Sequence, residues 1–226
     1  MRVATLNIHK GRGLDGREDL DRLAAFLSES GADLIGLQEV IQSSRRNQPE
    51  FLAKKLGMEY AFFPSLRRCT YRYGNALLSR WPLEEVQGYV LPSLREKRSL
   101  LTARCRGPLS FTAAVTHLGL NSREREGHAA KILEILGKKQ PVVLMGDWNA
   151  SSESQEVQAI LEEFGDAFQL GERSASDTHT YLSRDLLPHR IDYIFVRGFT
   201  VVRYFTRGTI ATDHRLVAAD LQWAEV

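Results

Sequence analysis

Short apolar runs recur along the chain, each ended by a turn signal or by polar residues. Arg2–Ile8 predicts a first strand, and Leu20, Leu23, Ala24 and Leu27 fall at helical spacing across Asp19–Ser30, with Gly31 as the stop. A strand over Asp33–Gln38 and a helix over Pro49–Leu56 closed by Gly57 follow. Tyr60–Phe63, Gly74–Ser79, Glu85–Leu91, Leu100–Arg106 and Ser110–Thr116 then read as consecutive strands, punctuated by Trp81-Pro82 and Gly107-Pro108. The second half alternates again. A helix over Ser122–Leu136 carries Ile132, Leu133, Ile135 and Leu136, a strand follows at Val142–Met145, and a helix over Ser154–Phe164 carries Val157, Ile160 and Leu161. Strands at Arg190–Val196, Thr200–Phe205 and Arg215–Leu221 close the pattern.

Strands dominate, with a few helices between them. Two mixed, mostly antiparallel β-sheets packed face to face, with helices outside, bury these runs best, so the expected class is a four-layered α/β sandwich. The chain contains neither a Ser/Gly-rich linker nor a short-period repeat, so residues 1–226 read as one domain. The loop from Gly171 to Pro188 is the segment expected to move or to shape a site.

Composition narrows the classes. The 226 residues are 43% hydrophobic and 26% charged, ordinary for a globular chain able to bury its own core. A net charge of +2 gives no global basic field, although a local basic stripe still serves nucleic acid. Cys69 and Cys105 fit no zinc spacing and read as free thiols. No apolar run reaches the roughly 20 residues of a membrane span. A strand so close to Met1 leaves no room for a leader, and the expected location is cytoplasmic.

Candidate chemistry sits where apolar strands end. Asn7, Gln38-Glu39, Thr116-His117, Gly146-Asp147-Trp148-Asn149, Arg190-Ile191-Asp192-Tyr193 and Thr212-Asp213-His214 are six such places. Strand ends converge in a layered α/β protein, so these residues can share one cleft. Carboxylates and amides suit Mg²⁺ or Mn²⁺ better than zinc. Acids, amides and imidazoles together supply what phosphoester hydrolysis needs: charge neutralisation, an aimed water and a stabilised leaving oxygen.

The ordered series Leu6-Asn7, Leu37-Gln38-Glu39, Tyr73-Gly74-Asn75, Thr116-His117, Gly146-Asp147-x-Asn149, Ile191-Asp192-Tyr193 and Asp213-His214 resembles the endonuclease/exonuclease/phosphatase superfamily. The resemblance runs from Asn7 to His214. It implies a Mg²⁺- or Mn²⁺-dependent phosphoester hydrolase. Glu39 is then the principal metal ligand with Asn7 beside it, and Asp213 joins the metal side or a second metal. Asp147 orients or deprotonates the attacking water and Asn149 holds the water or a phosphate oxygen. His117 and His214 donate to the phosphate, with Asp192 aiming and charging His214. Gly74-Asn75 brings a strand close to the cleft, and Asn75, Arg72, Arg190 and Tyr181 are the expected substrate contacts. His9 departs from the acidic residue that several nucleases of the superfamily carry two positions after Asn7. Trp148 replaces a commoner Phe, Thr or Leu.

Each motif alone admits a plainer reading. Asp147-x-Asn149 could be an Asx turn and Asp213-His214 a turn before the last strand, while a lone His117 is more often a core histidine. Asp192 resists this, because a carboxylate in an apolar strand needs a partner. The Arg67–Tyr73 stretch interleaves Arg with Tyr, which suits a nucleic-acid backbone, although an exposed hairpin is the somewhat better reading. Lys97-Arg98, Arg123 and Arg125 read as phosphate contacts or solvated faces, and His179 and His189 as pocket lining or loop polarity. The expected substrate is nucleic acid, with a phospholipid head group or small phosphorylated metabolite as the alternative. A silent binding module ranks below both, because all the motif acids and histidines are present. A monomer is expected.

Overall fold

Two βαβ crossovers, one in each sheet, give the chain its frame. The computed structural model describes residues 1–182 and 188–224. Its first half contains β1 (Arg2–Asn7), α1 (Leu20–Glu29), β2 (Leu34–Gln42), α2 (Gln48–Leu56), β3 (Glu59–Arg67), β4 (Arg72–Ser79), β5 (Leu83–Leu91) and β6 (Arg98–Arg106). Next come β7 (Ser110–His117), α3 (Ser122–Leu136), β8 (Val142–Asp147), α4 (Gln155–Leu161), β9 (Gly165–Asp166) and α5 (Ala167–Leu170). The chain ends with β10 (Tyr181–Leu182), β11 (Pro188–His189), β12 (Asp192–Arg197), β13 (Phe199–Arg207) and β14 (Leu216–Trp223).

Twelve of the strands form two six-stranded sheets, ordered β13-β14-β1-β2-β4-β3 and β5-β6-β7-β8-β12-β9, and β10 pairs with β11 in a small two-stranded sheet. Each six-stranded sheet has one parallel pair, β1 with β2 and β7 with β8; the other pairings are antiparallel. The parallel pairs are the two crossovers, through α1 and α3, because parallel neighbours need a long connection. This is the expected α/β sandwich.

Strand alternation explains the layers. Val3, Leu34, Leu77, Leu101, Val115, Met145, Ile194 and Val217 fill the space between the sheets. Ala4, Leu6, Ile35 and Leu37 point outward onto Leu23, Leu27 and Leu52 of α1 and α2. Leu100, Ala114, Val142 and Leu144 pack under Ile132, Leu136, Val157 and Ile160 of α3 and α4. The helices begin and end on local chemistry. Asp19 caps α1 by accepting from the Arg22 amide, and Asn121 caps α3 through the Glu124 amide. Gly57 closes α2 in the left-handed conformation.

The boundaries differ from the sequence reading mainly at the strand ends. The strand expected over Asp33–Gln38 continues to Gln42 through an irregularity in its pairing with β4 between Leu37 and Val40. The strand expected over Tyr60–Phe63 spans Glu59–Arg67. The loop from Gly171 holds β10, and residues 183–187 of that expectation lie outside the described residues. Among the described residues, no helix is long and apolar enough to cross a membrane. Cys69 is exposed and Cys105 buried, both as free thiols.

Candidate active site

The carboxyl ends of the two parallel pairs meet at one edge of the sandwich. Asn7 is the register partner of Gln38 in the first sheet, and His117 that of Asp147 in the second. Asp192 opens β12 opposite Asp147. The segment before β14 supplies Thr212, Asp213 and His214. These residues surround a cleft of about 430 Å³ whose walls include Asn7, Glu39, His117, Asp147, Asp213 and His214.

Backbone strain concentrates here. Among the described residues, five non-glycine positions have left-handed φ, and four of them, His9, Lys10, Glu39 and Asn149, line the cleft. Such conformations cost of order 1–3 kcal/mol each and persist where the surroundings fix them. At Glu39 the left-handed turn coincides with the irregularity of β2, which re-aims the carboxylate from the strand into the cleft. Gly146 permits the close approach on the other side, since an added Cβ would lie 2.0 Å from the Thr116 carbonyl oxygen.

Asp147 is the hub and is 1% exposed. Its Oδ2 accepts from Asn7 Nδ2 at 3.0 Å and its Oδ1 from the Asn149 amide at 2.9 Å. His117 Nε2 and His214 Nε2 lie 3.4 and 3.8 Å from Oδ2. Burial, reinforced by the nearby charge of Asp192, pushes the Asp147 carboxyl up to about 7. On the far side of His214, Nδ1 lies 2.9 Å from Asp192 Oδ2. Burial disfavours the imidazolium, but Asp192, Asp147 and Asp213 together outweigh it and raise His214 to about 10. At His117 the balance runs the other way: burial, then Arg98 and His214, hold that ring well below its ordinary value. At neutral pH His214 is therefore cationic and His117 neutral.

Asp147, Asp192 and His214 bring their ligand atoms within 4.8 Å of one another, a spacing that a metal could use. His214 already lies between the two carboxylates, hydrogen-bonded to Asp192 and 3.8 Å from Asp147 Oδ2, so the trio reads better as two acids sharing one imidazolium than as a metal site. The residues that fit a metal lie across the cleft. Among the described residues, the Glu39 carboxylate has only long contacts, Asn7 Nδ2 at 3.4 Å and Lys10 Nζ at 3.9 Å. Its side chain is 18% exposed, and a carboxylate so placed favours a cation. Asp213 Oδ1 has His9 Nδ1 at 3.7 Å and Thr212 Oγ1 at 3.3 Å. Asn7 Oδ1 accepts from the His9 amide, leaving it a second lone pair. This all-oxygen donor set fits a hard divalent cation.

A family model described as Endonuclease/Exonuclease/phosphatase family matches residues 4–214. The chain belongs to that family. Endonuclease/exonuclease/phosphatase proteins are phosphoester hydrolases and are generally dependent on divalent metal. Among its relatives, the Escherichia coli K12 protein described as "Uncharacterized protein YbhP" is 30% identical over 185 residues, covering 72% of this chain and 73% of that one. An endonuclease/exonuclease/phosphatase structure from Beutenbergia cavernae superimposes with a TM-score of 0.85 at 25% identity, covering 99% of this chain and 72% of that one. A mannosyl-6-phosphatase from Bacteroides thetaiotaomicron superimposes with a TM-score of 0.79 at 20% identity, covering 99% and 100% of the two chains.

Three of the four residues expected to contact substrate in this family member lie outside the cleft itself. Arg190 is paired with Asp166 at 2.8 Å and stacked on Phe168 and Tyr193, because β12 begins only at Asp192 and the preceding residues turn away. Asn75 is buried and donates to the Ser99 carbonyl at 2.9 Å, tying β4 to β6 beneath the cleft. Arg72 is exposed and lines a neighbouring groove of about 550 Å³ with Gln42, Ser43, Asn47, Arg68 and Tyr71. Tyr181 does line the cleft, its ring 4.8 Å from that of His214. Trp148 is fully buried, edge-on to Tyr193 and Phe195. His179 and His189 do not line the cleft.

Arg98, Lys10 and Glu96 also line the cleft, and sequence reasoning gave them little weight. Arg98 is only 7% exposed, and its sequence signal is a cation at the start of the apolar strand Ser99–Ala103. Two threonines fix the backbone around the site, Thr212 from a strand-end motif and Thr180 with no sequence signal of its own. Thr212 Oγ1 donates to the Asn7 carbonyl at 2.8 Å, and Thr180 Oγ1 accepts from the Ile191 and Asp192 amides at 3.1 Å each.

Proposed function

We propose that the protein is a Mg²⁺- or Mn²⁺-dependent phosphodiesterase acting on nucleic acid, with Asp147 as the residue that takes the proton of the attacking water. The observation that carries this reading is Asp147 itself. It is a buried carboxylate tuned to about 7, held by two amides and faced by two imidazoles at the edge of an acid-lined cleft. Glu39, Asp213 and the free lone pair of Asn7 would hold the cation, which when bound supplies neutralising charge to the phosphate oxygens.

The protein's own groups account for the remaining work. Asn7 and the Asn149 amide hold the Asp147 carboxylate, so that Oδ2 accepts a proton as the water oxygen bonds to phosphorus. His214 Nε2–H, kept protonated by Asp192, and His117 Nε2–H donate to phosphoryl oxygens. The bond from phosphorus to the leaving oxygen breaks, that oxygen takes up a proton from solvent to leave as an alcohol, and Asp147 returns its proton to solvent. A phosphodiester and water thus give a phosphomonoester and an alcohol.

Nucleic acid is favoured by the groove beside the cleft. Gln42 and Arg72 are register partners three residues beyond Glu39 and one before Tyr73, roughly 10 Å along the sheet at strand spacing. Arg68, Arg72 and Tyr71 there suit successive phosphates and an exposed base. A second reading, hydrolysis of a small phosphorylated metabolite, is favoured by the modest cleft volume of about 430 Å³. The fold it shares with a mannosyl-6-phosphatase is compatible with that reading.

A substrate panel of single-stranded and duplex DNA, RNA, a phospholipid and sugar phosphates, assayed with and without divalent metal, tests both readings. Cleavage of polynucleotide with little sugar-phosphate turnover supports the first; the reverse supports the second.

A further inference from the structure

We propose that Arg98 is the positioning residue of His117, fixing its imidazole as the Nε2–H tautomer and so choosing the nitrogen that presents a proton to the cleft. The functional half of this proposal rests on the reading of His117 as a phosphate donor. Arg98 Nη1 lies 3.0 Å from His117 Nδ1, and both side chains are at least nine-tenths buried. A guanidinium has only donors, so Nδ1 must be the acceptor in this contact. A neutral ring that accepts at Nδ1 carries its hydrogen on Nε2, the atom that faces Asp147 Oδ2 at 3.4 Å.

On the other side of the ring two groups compete for Nε2. Asn149 Nδ2, 3.1 Å away, places one hydrogen on the Leu118 carbonyl at 3.0 Å and has a second that only an unprotonated Nε2 would accept, whereas the Asp147 carboxylate at 3.4 Å accepts from Nε2–H. The charged guanidinium 3.0 Å from Nδ1 outweighs the neutral amide and leaves the hydrogen on Nε2. Arg98 from β6, Asp147 from β8 and His214 from the segment before β14 are the charged groups facing the imidazole. Arg98 and His214 both oppose a second proton on it. Glu96 Oε1, 3.0 Å from the same Nη1, holds the guanidinium in place. Among the described residues, the buried Nε of Arg98 has no partner, and the side chain forms part of the wall between the cleft and an adjoining cavity of about 280 Å³. A buried cation in contact with a histidine is costly, and tautomer selection is what it achieves here.

The test is the ring's nitrogen spectrum. Long-range ¹H–¹⁵N correlation on metal-free, uniformly ¹⁵N-labelled protein distinguishes a protonated from an unprotonated nitrogen at His117. The expected result is an unprotonated Nδ1 and a protonated Nε2. In Arg98→Leu, Nδ1–H signal should appear and kcat should fall roughly 10²-fold or more, with KM changed far less. Arg98→Gln, which retains a donor at that position, should restore the Nε2–H spectrum and part of kcat. An Nδ1–H tautomer in the wild type overturns the proposal, as does an Arg98→Leu spectrum identical to wild type. If the spectrum is as expected but no phosphoester is turned over, the hydrolase reading fails while the tautomer assignment stands.

Discussion

Asp192 and His214 are joined by a 2.9 Å contact between Oδ2 and Nδ1, across 22 residues of sequence. Asp192 is fully buried at the start of β12, and Thr180 fixes its backbone by accepting its amide hydrogen. The partnership gives Asp192 a reason to lie in an apolar strand and gives His214 a proton it holds well past neutrality. Asp192→Asn keeps the shape and removes the charge. In that variant kcat should fall by about 10²- to 10⁴-fold with the fold retained. His214 should also titrate below its present value of about 10, as followed by NMR.

The pH profile follows from Asp147 and His214 together. Asp147 must be ionised to accept a proton, and its carboxyl titrates at about 7. His214 must be protonated to donate, and it titrates at about 10. Activity should therefore rise through about pH 7 and fall through about pH 10, giving a bell in kcat/KM.

Stability should move in the opposite sense across the acid limb. The folded-state value of Asp147, about 7, lies above its ordinary 3.8, so the native protein holds this proton more tightly than the unfolded chain. The contribution is fully present below about pH 4 and is lost as pH rises through about 7. Measured without metal, wild type should lose thermal stability relative to Asp147→Asn over that window.

Glu39→Gln tests the metal side separately from the triad. Among the described residues the side chain has only two long contacts, so the substitution should leave the fold intact. Calorimetric Mn²⁺ affinity should drop by at least roughly 10²-fold, because loss of a direct ligand costs no less than loss of an outer-shell partner.

Much of this arrangement was legible in the sequence because Asn7, His117, Asp147 and Asp192 each end or begin an apolar strand, and the layered fold gathers such ends. Glu39 was legible as an acid but not as a strained one, because the irregularity in β2 breaks strict alternation with no glycine at the turn to announce it. Arg190 stands two residues before Asp192, at the spacing of a shared strand face, yet the strand begins too late to carry it there, and Asp166 claims it. Arg72 and Tyr73 are adjacent, so one points to the groove and the other to the cleft. Asn75 shares the side of Tyr73 but lies deeper, where Ser99 of the opposite sheet takes its hydrogen bond. Contacts between distant strands, such as Asn75 with Ser99 and Arg98 with His117, have no periodicity in a single sequence.

The Arg groove separates substrate capture from chemistry. Arg68→Ala with Arg72→Ala should raise KM for an oligonucleotide and flatten its salt dependence by about two phosphate contacts, while kcat stays near wild type. A small phosphodiester that does not reach the groove should be unaffected, as steady-state kinetics on the two substrates will read.

The most direct measurement is divalent-metal titration of phosphodiester turnover by chelator-stripped protein, run in parallel for wild type and Asp147→Asn. Turnover should be absent without metal, appear with Mg²⁺ or Mn²⁺, and be at least about 10²-fold lower in the variant at saturating metal. Turnover that survives chelation, or that is equal in the two proteins, would contradict the assignment of Asp147 and of the cation beside it.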